Sequence, residues 1–263
     1  MGFIEFVSKP LVDIKSNNQL KIIHLKKALI LLVLLSFSGT ATAQLFSKER
    51  LANIENFDKQ RWSWGFFFGL NNYDFKFDYK EYDRSFKDVQ VTKNIGFNVG
   101  LLGDLRINNY LNLRLEPGIV FTKRNLTFPG DVPGDFPNEE SRMRESNSTY
   151  VHVPLLLKVS TKRLNNFKPF IEGGFSYSYN LSSNQDNPDD NLDGQFRMNS
   201  NTYYYELGIG IDFYLYFFKF TPSIRGVFAL NDELVRDDES NSPYTSNIDK
   251  MATQGVFLNL TFQ

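Results

Sequence analysis

The sequence lacks cysteine altogether and holds only two histidines among its 263 residues. A chain without cysteine has no disulfide framework, no thiolate metal site, no iron–sulfur cluster and no cysteine nucleophile. It also lacks a surplus of either charge, because 29 basic side chains balance 30 acidic ones and the isoelectric point is about 6.2. No nucleic-acid partner is therefore expected, since such proteins usually carry a basic surplus.

Aromatic side chains are abundant instead. The chain contains 26 Phe, 13 Tyr and 2 Trp, and yet its mean hydropathy is −0.34. An ordinary soluble core is not built mainly from Phe and Tyr, whereas a bilayer interface accepts many outward-facing aromatic rings. The composition therefore favours a membrane-associated protein that also has a large polar share.

The first 43 residues have the features of an export signal. Three lysines between positions 21 and 27 precede an apolar run at 28–35, and an Ala-x-Ala site follows at 41–43. These are the three parts of a secretory signal peptide, and the run is too short for a transmembrane helix of about 20 apolar residues. We predict a leader over 1–43 with the signal peptide at 21–43 and cleavage before Gln44, a short periplasmic segment over 44–61, and a main domain over 62–263.

After the leader, apolar and polar residues alternate with a period of two, which is typical of strands with one apolar face. The alternation predicts eight strands, at 62–79, 94–106, 111–127, 149–161, 168–183, 203–213, 218–230 and 256–262. In the first of them the phase changes near Asn71 and Asn72, which predicts a β-bulge.

The predicted connections are alternately long and short. Three of them are tight, near 108–109, 163–167 and Leu215, and the other four are long and polar. An even number of strands joined in this way is typical of an outer-membrane β-barrel. We therefore predict an all-β fold, an eight-stranded antiparallel transmembrane β-barrel in the bacterial outer membrane, with both termini in the periplasm and the long loops outside the cell.

The second face of the strands carries charged side chains that a barrel would direct into its interior. An eight-stranded barrel is only wide enough for side chains to fill it, and a buried charge needs a partner. We therefore predict a filled polar lumen with a charge network rather than a pore. The predicted lumenal residues are Asp104, Arg106, Arg114, Glu116, His152, Lys158, Glu172, Glu206, Asp212, Lys219 and Arg225.

His152 is the only histidine that remains after removal of the leader, so any Ser–His–Asp mechanism would have to use it. No G-x-S-x-G motif accompanies it. We interpret it as a structural histidine held by hydrogen bonds and predict a non-enzymatic protein with no cofactor and no small-molecule substrate. An outer-membrane lipid-modifying enzyme that uses His152 is the alternative.

An Asx-rich stretch at 184–194 is a weak metal candidate. Asp189, Asn191 and Asp193 match the first half of an EF-hand loop, but Ser200 stands where the loop needs a bidentate glutamate. Ordinary turn chemistry of Asn and Asp explains the stretch, and a weak extracellular calcium site is the alternative.

The start of the first strand combines aromatic side chains with cations. Trp62, Trp64, Phe66 and Phe68 come just after Lys59 and Arg61. Aromatic rings beside cations are typical of a membrane–water interface, so we predict an interface belt. A docking patch for a periplasmic partner is the alternative, and the charged segment 46–59 could close the barrel mouth or reach a partner.

Several stretches resemble a known family. RLEPGIVFTKR at 114–124, YVHVPLLLK at 150–158, KPFIEGG at 168–174 and YELGIGIDF at 205–213 resemble the PorT-like outer-membrane β-barrels of Bacteroidetes. NFDKQRWSWGFFFGLNNYDF at 56–75 and GVFALNDEL at 226–234 resemble the PorT (SprT) family more specifically. The resemblance covers most of the chain after the leader and includes no catalytic motif.

The resemblance implies a non-enzymatic outer-membrane component of the type IX secretion system. Such a component supports the export of cargo proteins and, in gliding bacteria, motility. The partners that it implies are outer-membrane lipid and other envelope proteins of the secretion system. A general structural or adhesive outer-membrane barrel is the alternative.

Overall fold

The computed structural model describes residues 52–80, 88–129, 142–183, 185, 196–236 and 244–263. The predicted leader and the calcium candidates Asp189, Asn191 and Asp193 lie outside these residues. Among the described residues, no helix has the length and apolarity that a membrane span requires. A single 3-10 turn lies at Phe57–Lys59, directly before the first strand.

The rest of the described chain forms one antiparallel sheet. Its strands are β1 (Trp62–Tyr79), β2 (Gln90–Lys93), β3 (Ile95–Arg106), β4 (Leu111–Leu115), β5 (Gly118–Thr127), β6 (Met143–Ser160), β7 (Phe167–Asn180), β8 (Asn201–Tyr214), β9 (Lys219–Ala229) and β10 (Ile248–Phe262). β1 pairs with β10 on one side and with β3 on the other, so the sheet closes into a barrel. The predicted all-β antiparallel barrel is confirmed.

The ten strands occupy eight positions around the barrel, because the predicted strand at 111–127 is interrupted and β2, in a stretch predicted as a connection, continues the line of β3. Only Asn94 separates β2 from β3, and both pair with β5. Glu116 and Pro117 separate β4 from β5, and both of these strands pair with β3 and β6. Pro117 has no N–H group to donate, but its carbonyl accepts a hydrogen bond from Leu101 at 2.9 Å. The barrel therefore stays closed across the break.

The connections separate into two ends. The short links at 107–110, 161–166 and 215–218 lie at one end, where β1 also begins and β10 finishes; we call it the turn end. The links at 80–89, 128–142, 181–200 and 230–247 leave from the opposite end, which we call the loop end. The predicted order of long and short connections agrees with this arrangement.

The outer surface of the barrel is apolar and much of its interior is polar. Along β8, Tyr203, Leu207 and Ile209 are more than half exposed, whereas Glu206 and Asp212 on the opposite face are buried. The other strands alternate in the same sense. This distribution is the reverse of that in a water-soluble barrel and is typical of a barrel surrounded by lipid.

The predicted β-bulge at Asn71 and Asn72 is absent. β1 keeps an unbroken register with β3 up to Asn72 and with β10 up to Asp78, and the only shift comes between Asp78 and Tyr79. Side chains continue to alternate, so that Tyr73 and Phe75 point inward. The sequence pattern changes phase because the interior itself becomes apolar toward the loop end.

Two apolar clusters fill that part of the interior. The first surrounds Tyr73, Tyr150, Tyr204 and Phe257. The second lies nearer the loop end and combines strand residues with residues of the loops; its members include Phe75, Leu126, Phe128, Phe196, Met198, Leu234, Ile248 and Met251. The predicted charge network is therefore concentrated in the half of the barrel near the turn end.

Candidate functional site in the barrel interior

The polar half of the interior is organised around Arg225. Its guanidinium contacts Glu116 at 2.5 Å, Glu206 at 3.0 Å and Glu172 at 3.2 Å, and all four side chains are buried. These residues come from four different places around the barrel wall. A planar guanidinium with five donors can serve several carboxylates at once, which a lysine ammonium cannot do in the same geometry.

A second cation, Arg114, continues the cluster toward the turn end. Its Nε atom donates to Asp104 at 2.9 Å, and its Nη1 atom lies 3.4 Å from Glu172. Next to it, the Lys158 ammonium donates to both oxygens of Asp212, at 2.6 and 2.7 Å. The interior charges therefore form one continuous network, in which carboxylates are shared between cations.

The structure brings together all but one of the predicted network residues. Arg106 is the exception: as the last residue of β3 it lines the turn-end pocket beside Asp104 and Asp212, but its guanidinium does not contact the network carboxylates. Its guanidinium donates to the Asn108 carbonyl at 3.3 Å and to Asn109 Oδ1 at 2.5 Å. Strand parity therefore indicated the side of the wall on which Arg106 lies but not its partners, since a long side chain at the barrel rim can reach the turn instead.

His152 is held between two buried side chains. Its Nδ1 atom lies 2.6 Å from Ser178 Oγ, and its Nε2 atom lies 2.8 Å from Glu206 Oε1. Tyr204 and Phe257 pack edge-on against the imidazole. No local sequence motif identifies Ser178 or Glu206 as partners of His152. The antiparallel register alone, however, places Ser178 directly opposite His152.

This Ser–His–Glu arrangement has the connectivity of a catalytic triad but not its accessibility. The exposed fraction of Ser178 is 0 %, so its hydroxyl meets no solvent or substrate in this conformation. Glu206 is also engaged by Arg225. The geometry is that of a closed hydrogen-bond network which satisfies a buried imidazole.

The segment before β1 covers the turn end of the interior. Asp58 accepts hydrogen bonds from the Tyr214 hydroxyl at 2.8 Å and from Arg163 at 3.3 Å. Phe57 packs edge-on against Tyr214, and the Lys219 ammonium lies 4.7 Å from the Phe57 ring centroid. The described part of the predicted periplasmic segment therefore lies against the barrel mouth.

Toward the loop end the interior carries further charged residues, among them Arg124 and Glu233. Arg124 donates to the Tyr150 hydroxyl at 2.8 Å and to Thr253 Oγ1 at 3.0 Å, and it stacks on the Phe75 ring. Glu233, which belongs to the connection between β9 and β10, accepts bonds from the backbone and the hydroxyl of Thr253 at 2.8 and 2.9 Å. This connection is thereby fixed to the inner wall.

Glu233 provides a prediction on pH dependence. Burial raises the pKa of its carboxyl, because desolvation outweighs the opposing effects of Arg124 and the Thr253 bonds. Such a group stabilises the fold most at low pH, and this contribution declines as the pH rises from the unfolded-state pKa through the folded-state pKa. We expect Glu233→Gln, which keeps an acceptor and cannot ionise, to flatten the pH dependence of the unfolding midpoint from the ordinary glutamate pKa upward.

The matched control for this experiment is Glu145→Gln. Glu145 is an exposed loop-end carboxylate paired with Lys123 at 3.0 Å, and exposed pairs contribute little to stability. Thermal unfolding across the pH range would compare the two variants with the parent chain. Equal slopes for Glu233→Gln and the parent would show that the Glu233 carboxyl has the same pKa in both states.

The predicted interface residues all face outward at the turn-end half of β1. Trp62 and Trp64 are 54 % and 72 % exposed, and their rings stack with centroids 6.1 Å apart. Phe66 and Phe68 stack on Phe262 of the last strand. The aromatic side chains thus form an exposed band across the junction of the first and last strands.

Metal chemistry finds no support among the described residues, where no group of three or more His, Asp or Glu side chains could hold a metal ion. The carboxylates of the turn-end network are committed to guanidinium and ammonium partners.

Comparison with known families identifies the fold. The model of the outer membrane protein beta-barrel domain matches residues 42–235, about three quarters of the chain. The chain belongs to this family. Its location is accordingly the outer membrane, and the apolar outer surface is the lipid-facing surface of an outer-membrane barrel. Among curated proteins, none matches the chain.

Solved structures with a similar arrangement are also outer-membrane barrels. OprG of Pseudomonas aeruginosa is 14 % identical, with 76 % of this chain and 93 % of that chain covered and a TM-score of 0.39. The N-terminal β-barrel domain of OprF from the same organism is 12 % identical, with 74 % and 96 % covered and a TM-score of 0.33. Ail of Yersinia pestis is 12 % identical, with 76 % and 96 % covered and a TM-score of 0.32.

Proposed function

We propose that this outer-membrane barrel is a non-enzymatic component of the type IX protein secretion system and supports the export of cargo proteins, and gliding motility where it exists. The specific support is the resemblance of residues 56–75 and 226–234 to the PorT (SprT) family. The proposed partners are outer-membrane lipid and other envelope proteins of the secretion system. In this proposal the turn end faces the periplasm and the loop end faces the outside.

The observation that carries a non-conducting role is the filled interior. In the described part of the chain, the segment before β1 covers the turn end, the Arg225 and Arg114 network fills the adjacent half, and the apolar clusters fill the remainder. An eight-position barrel has no spare width beyond its own side chains. A role through contacts on the barrel surface fits this interior better than the passage of a polypeptide.

The Ser178–His152–Glu206 arrangement is the one observation that favours an enzyme. An acyl-transfer nucleophile must reach its substrate, but Ser178 is fully buried in the barrel interior. We therefore propose a structural role for these three residues.

A chromosomal deletion tests the proposed function. We expect the deletion strain to lose secretion of many cargo proteins at once, because a missing machine component affects every cargo. Unchanged secretion would contradict the proposal. In that case, altered lipid A would favour a lipid-modifying enzyme, and lost surface binding would favour an adhesive barrel.

Complementation separates structure from catalysis. Ser178→Ala removes only a buried hydroxyl, and we expect it to restore secretion fully. A variant that folds to normal levels in the membrane but fails to restore secretion would contradict the non-enzymatic role. Heat-modifiable gel migration of the membrane fraction reports the amount of folded barrel.

A further inference from the structure

A groove of about 490 Å³ lies at the turn end, beside the start of β1 and the end of β3. Its lining residues are Lys59, Gln60, Arg61, Leu105, Arg106, Ile107, Asn108 and Asn109. The lining contains three cations and no carboxylate. Its size is within the range of small-ligand sites, and none of the interior networks described above includes it.

The polar groups in this groove are donors. Asn108 Oδ1 accepts the backbone N–H groups of Tyr110 and Leu111, at 2.8 and 2.9 Å. Asn109 Oδ1 accepts from Arg106. In both side chains the amide nitrogen is therefore left as a donor. Together with two guanidiniums and one ammonium, these groups select an anion that has several acceptor oxygens.

Arg61 and Arg106 are held close together by the backbone. The Arg106 N–H donates to the Arg61 carbonyl at 2.8 Å, which continues the β1–β3 ladder one residue past Trp62 and Leu105. Among the residues that the structure describes, no carboxylate lies within ion-pair distance of Arg61. Like charges placed opposite each other across two strands destabilise the sheet, so an anion between them would relieve the repulsion.

The groove lies at the border of the lipid-facing surface. Trp62, which directly follows the lining residue Arg61, is exposed, and so are Trp64, Phe66 and Phe68 further along the same strand. Tryptophan is enriched at the headgroup level of membranes, and Arg and Lys near it extend toward the lipid phosphates. We infer that this groove binds the phosphate headgroup of an anionic phospholipid, with Arg61 and Arg106 as its main donors.

The two tryptophans of the chain are the probe for this site, because Trp62 follows the lining residue Arg61 and pairs with the lining residue Leu105, and Trp64 stacks on Trp62. The full barrel is reconstituted into phosphatidylcholine vesicles in which about one lipid in ten is dibrominated, either as phosphatidylglycerol or as phosphatidylcholine. Bromine quenches tryptophan emission at short range. We expect brominated phosphatidylglycerol to quench more strongly, and we expect Arg61→Glu to lower the apparent lipid affinity about tenfold or more, through loss of a charge-assisted bond.

A double variant, Arg61→Gln with Arg106→Gln, serves as the second probe and introduces no new charge. The matched control is Lys93→Gln with Lys123→Gln, which removes two exposed cations at the loop end, where they pair with Asp74 and Glu145. The control is expected to keep the excess quenching. Far-ultraviolet circular dichroism and heat-modifiable migration confirm that each variant is folded.

Four results would overturn the inference. The first is equal quenching by the two brominated lipids in the parent chain, and the second is excess quenching that persists in folded Arg61→Glu or in the folded double variant. The third is an equal loss of excess quenching in the loop-end control. The fourth is complete loss of the excess quenching on addition of millimolar inorganic phosphate. The last result would show a site for free phosphate rather than for a lipid headgroup.

Discussion

Replacing Arg225 with methionine is expected to lower the free energy of unfolding of the barrel by about 3–5 kcal/mol, because three buried carboxylates lose a shared partner. Glu116, Glu172 and Glu206 all lie within 3.2 Å of the guanidinium. Methionine keeps an unbranched apolar stem but lacks the guanidinium, so the loss comes mainly from the uncompensated carboxylates. Denaturant unfolding of the purified barrel in lipid vesicles measures it.

The control for this experiment removes an arginine of a different kind. Arg236 pairs with Asp232 at 3.2 Å in an exposed loop, and Arg236→Met should change stability by at most about 1 kcal/mol. A loss below about 1 kcal/mol for Arg225→Met would contradict the prediction, since it would mean that protons or water neutralise the carboxylates without cost.

A double variant separates the pairwise part of the effect. Arg225→Met together with Glu206→Gln removes one cation and one of the carboxylates that it serves. Groups in direct contact do not contribute additively, so the double variant should be more stable than the sum of the two single losses. Strict additivity would show that Glu206 is balanced by His152 rather than by Arg225.

The outer face of the barrel was predictable from the sequence because the membrane requires it to be apolar at every second position. Phe97, Leu155 and Leu207 belong to different strands and are all at least half exposed, as their alternation indicates. The positions of the tight turns followed from the same alternation, since a strand that crosses a bilayer has a limited length.

The interior was less predictable because the rule that governs it changes along the barrel axis. Near the turn end, inward positions carry charges, and the sequence pattern identifies them. Toward the loop end, Tyr73 and Phe75 point inward and Asn72 and Asp74 point outward, so the hydropathy pattern inverts while the strand geometry does not. The inversion has the same sequence signal as a β-bulge, and this is why the prediction of a bulge failed.

The partners of the interior charges depend on register and on contacts across the barrel. Arg225 and Glu116 are 109 positions apart in sequence, and no local pattern pairs them. The loop residues Phe196 and Leu234 join the loop-end cluster without any periodic signal. Charge type and inward position could thus be predicted from the sequence, whereas the choice of partner requires the closed sheet.

The strand junction around Gly100 leads to the second large effect. Gly100 of β3 lies opposite Gly118 of β5, directly beside the Pro117 interruption. A Cβ atom at Gly100 would lie 2.5 Å from the Pro117 carbonyl oxygen and 2.6 Å from both Gly118 Cα and the tip of the Phe67 ring. We expect Gly100→Ala to lower stability by at least about 1–3 kcal/mol, the usual cost of overpacking, because backbone atoms must move.

Gly103→Ala is the matched control, since it makes the same substitution on the same strand but on the outer face. Its Cβ atom would meet only the edge of the exposed Trp64 ring, at 3.0 Å, and that ring can rotate into lipid. The gain in stability from a less flexible unfolded chain is the same in both variants.

Adding Phe67→Leu to Gly100→Ala removes the ring contact but not the contact with the Pro117 carbonyl, so we expect only partial recovery of stability. Full recovery would assign the strain to the ring, and equal stability of the two alanine variants would show that the β3–β5 junction yields freely.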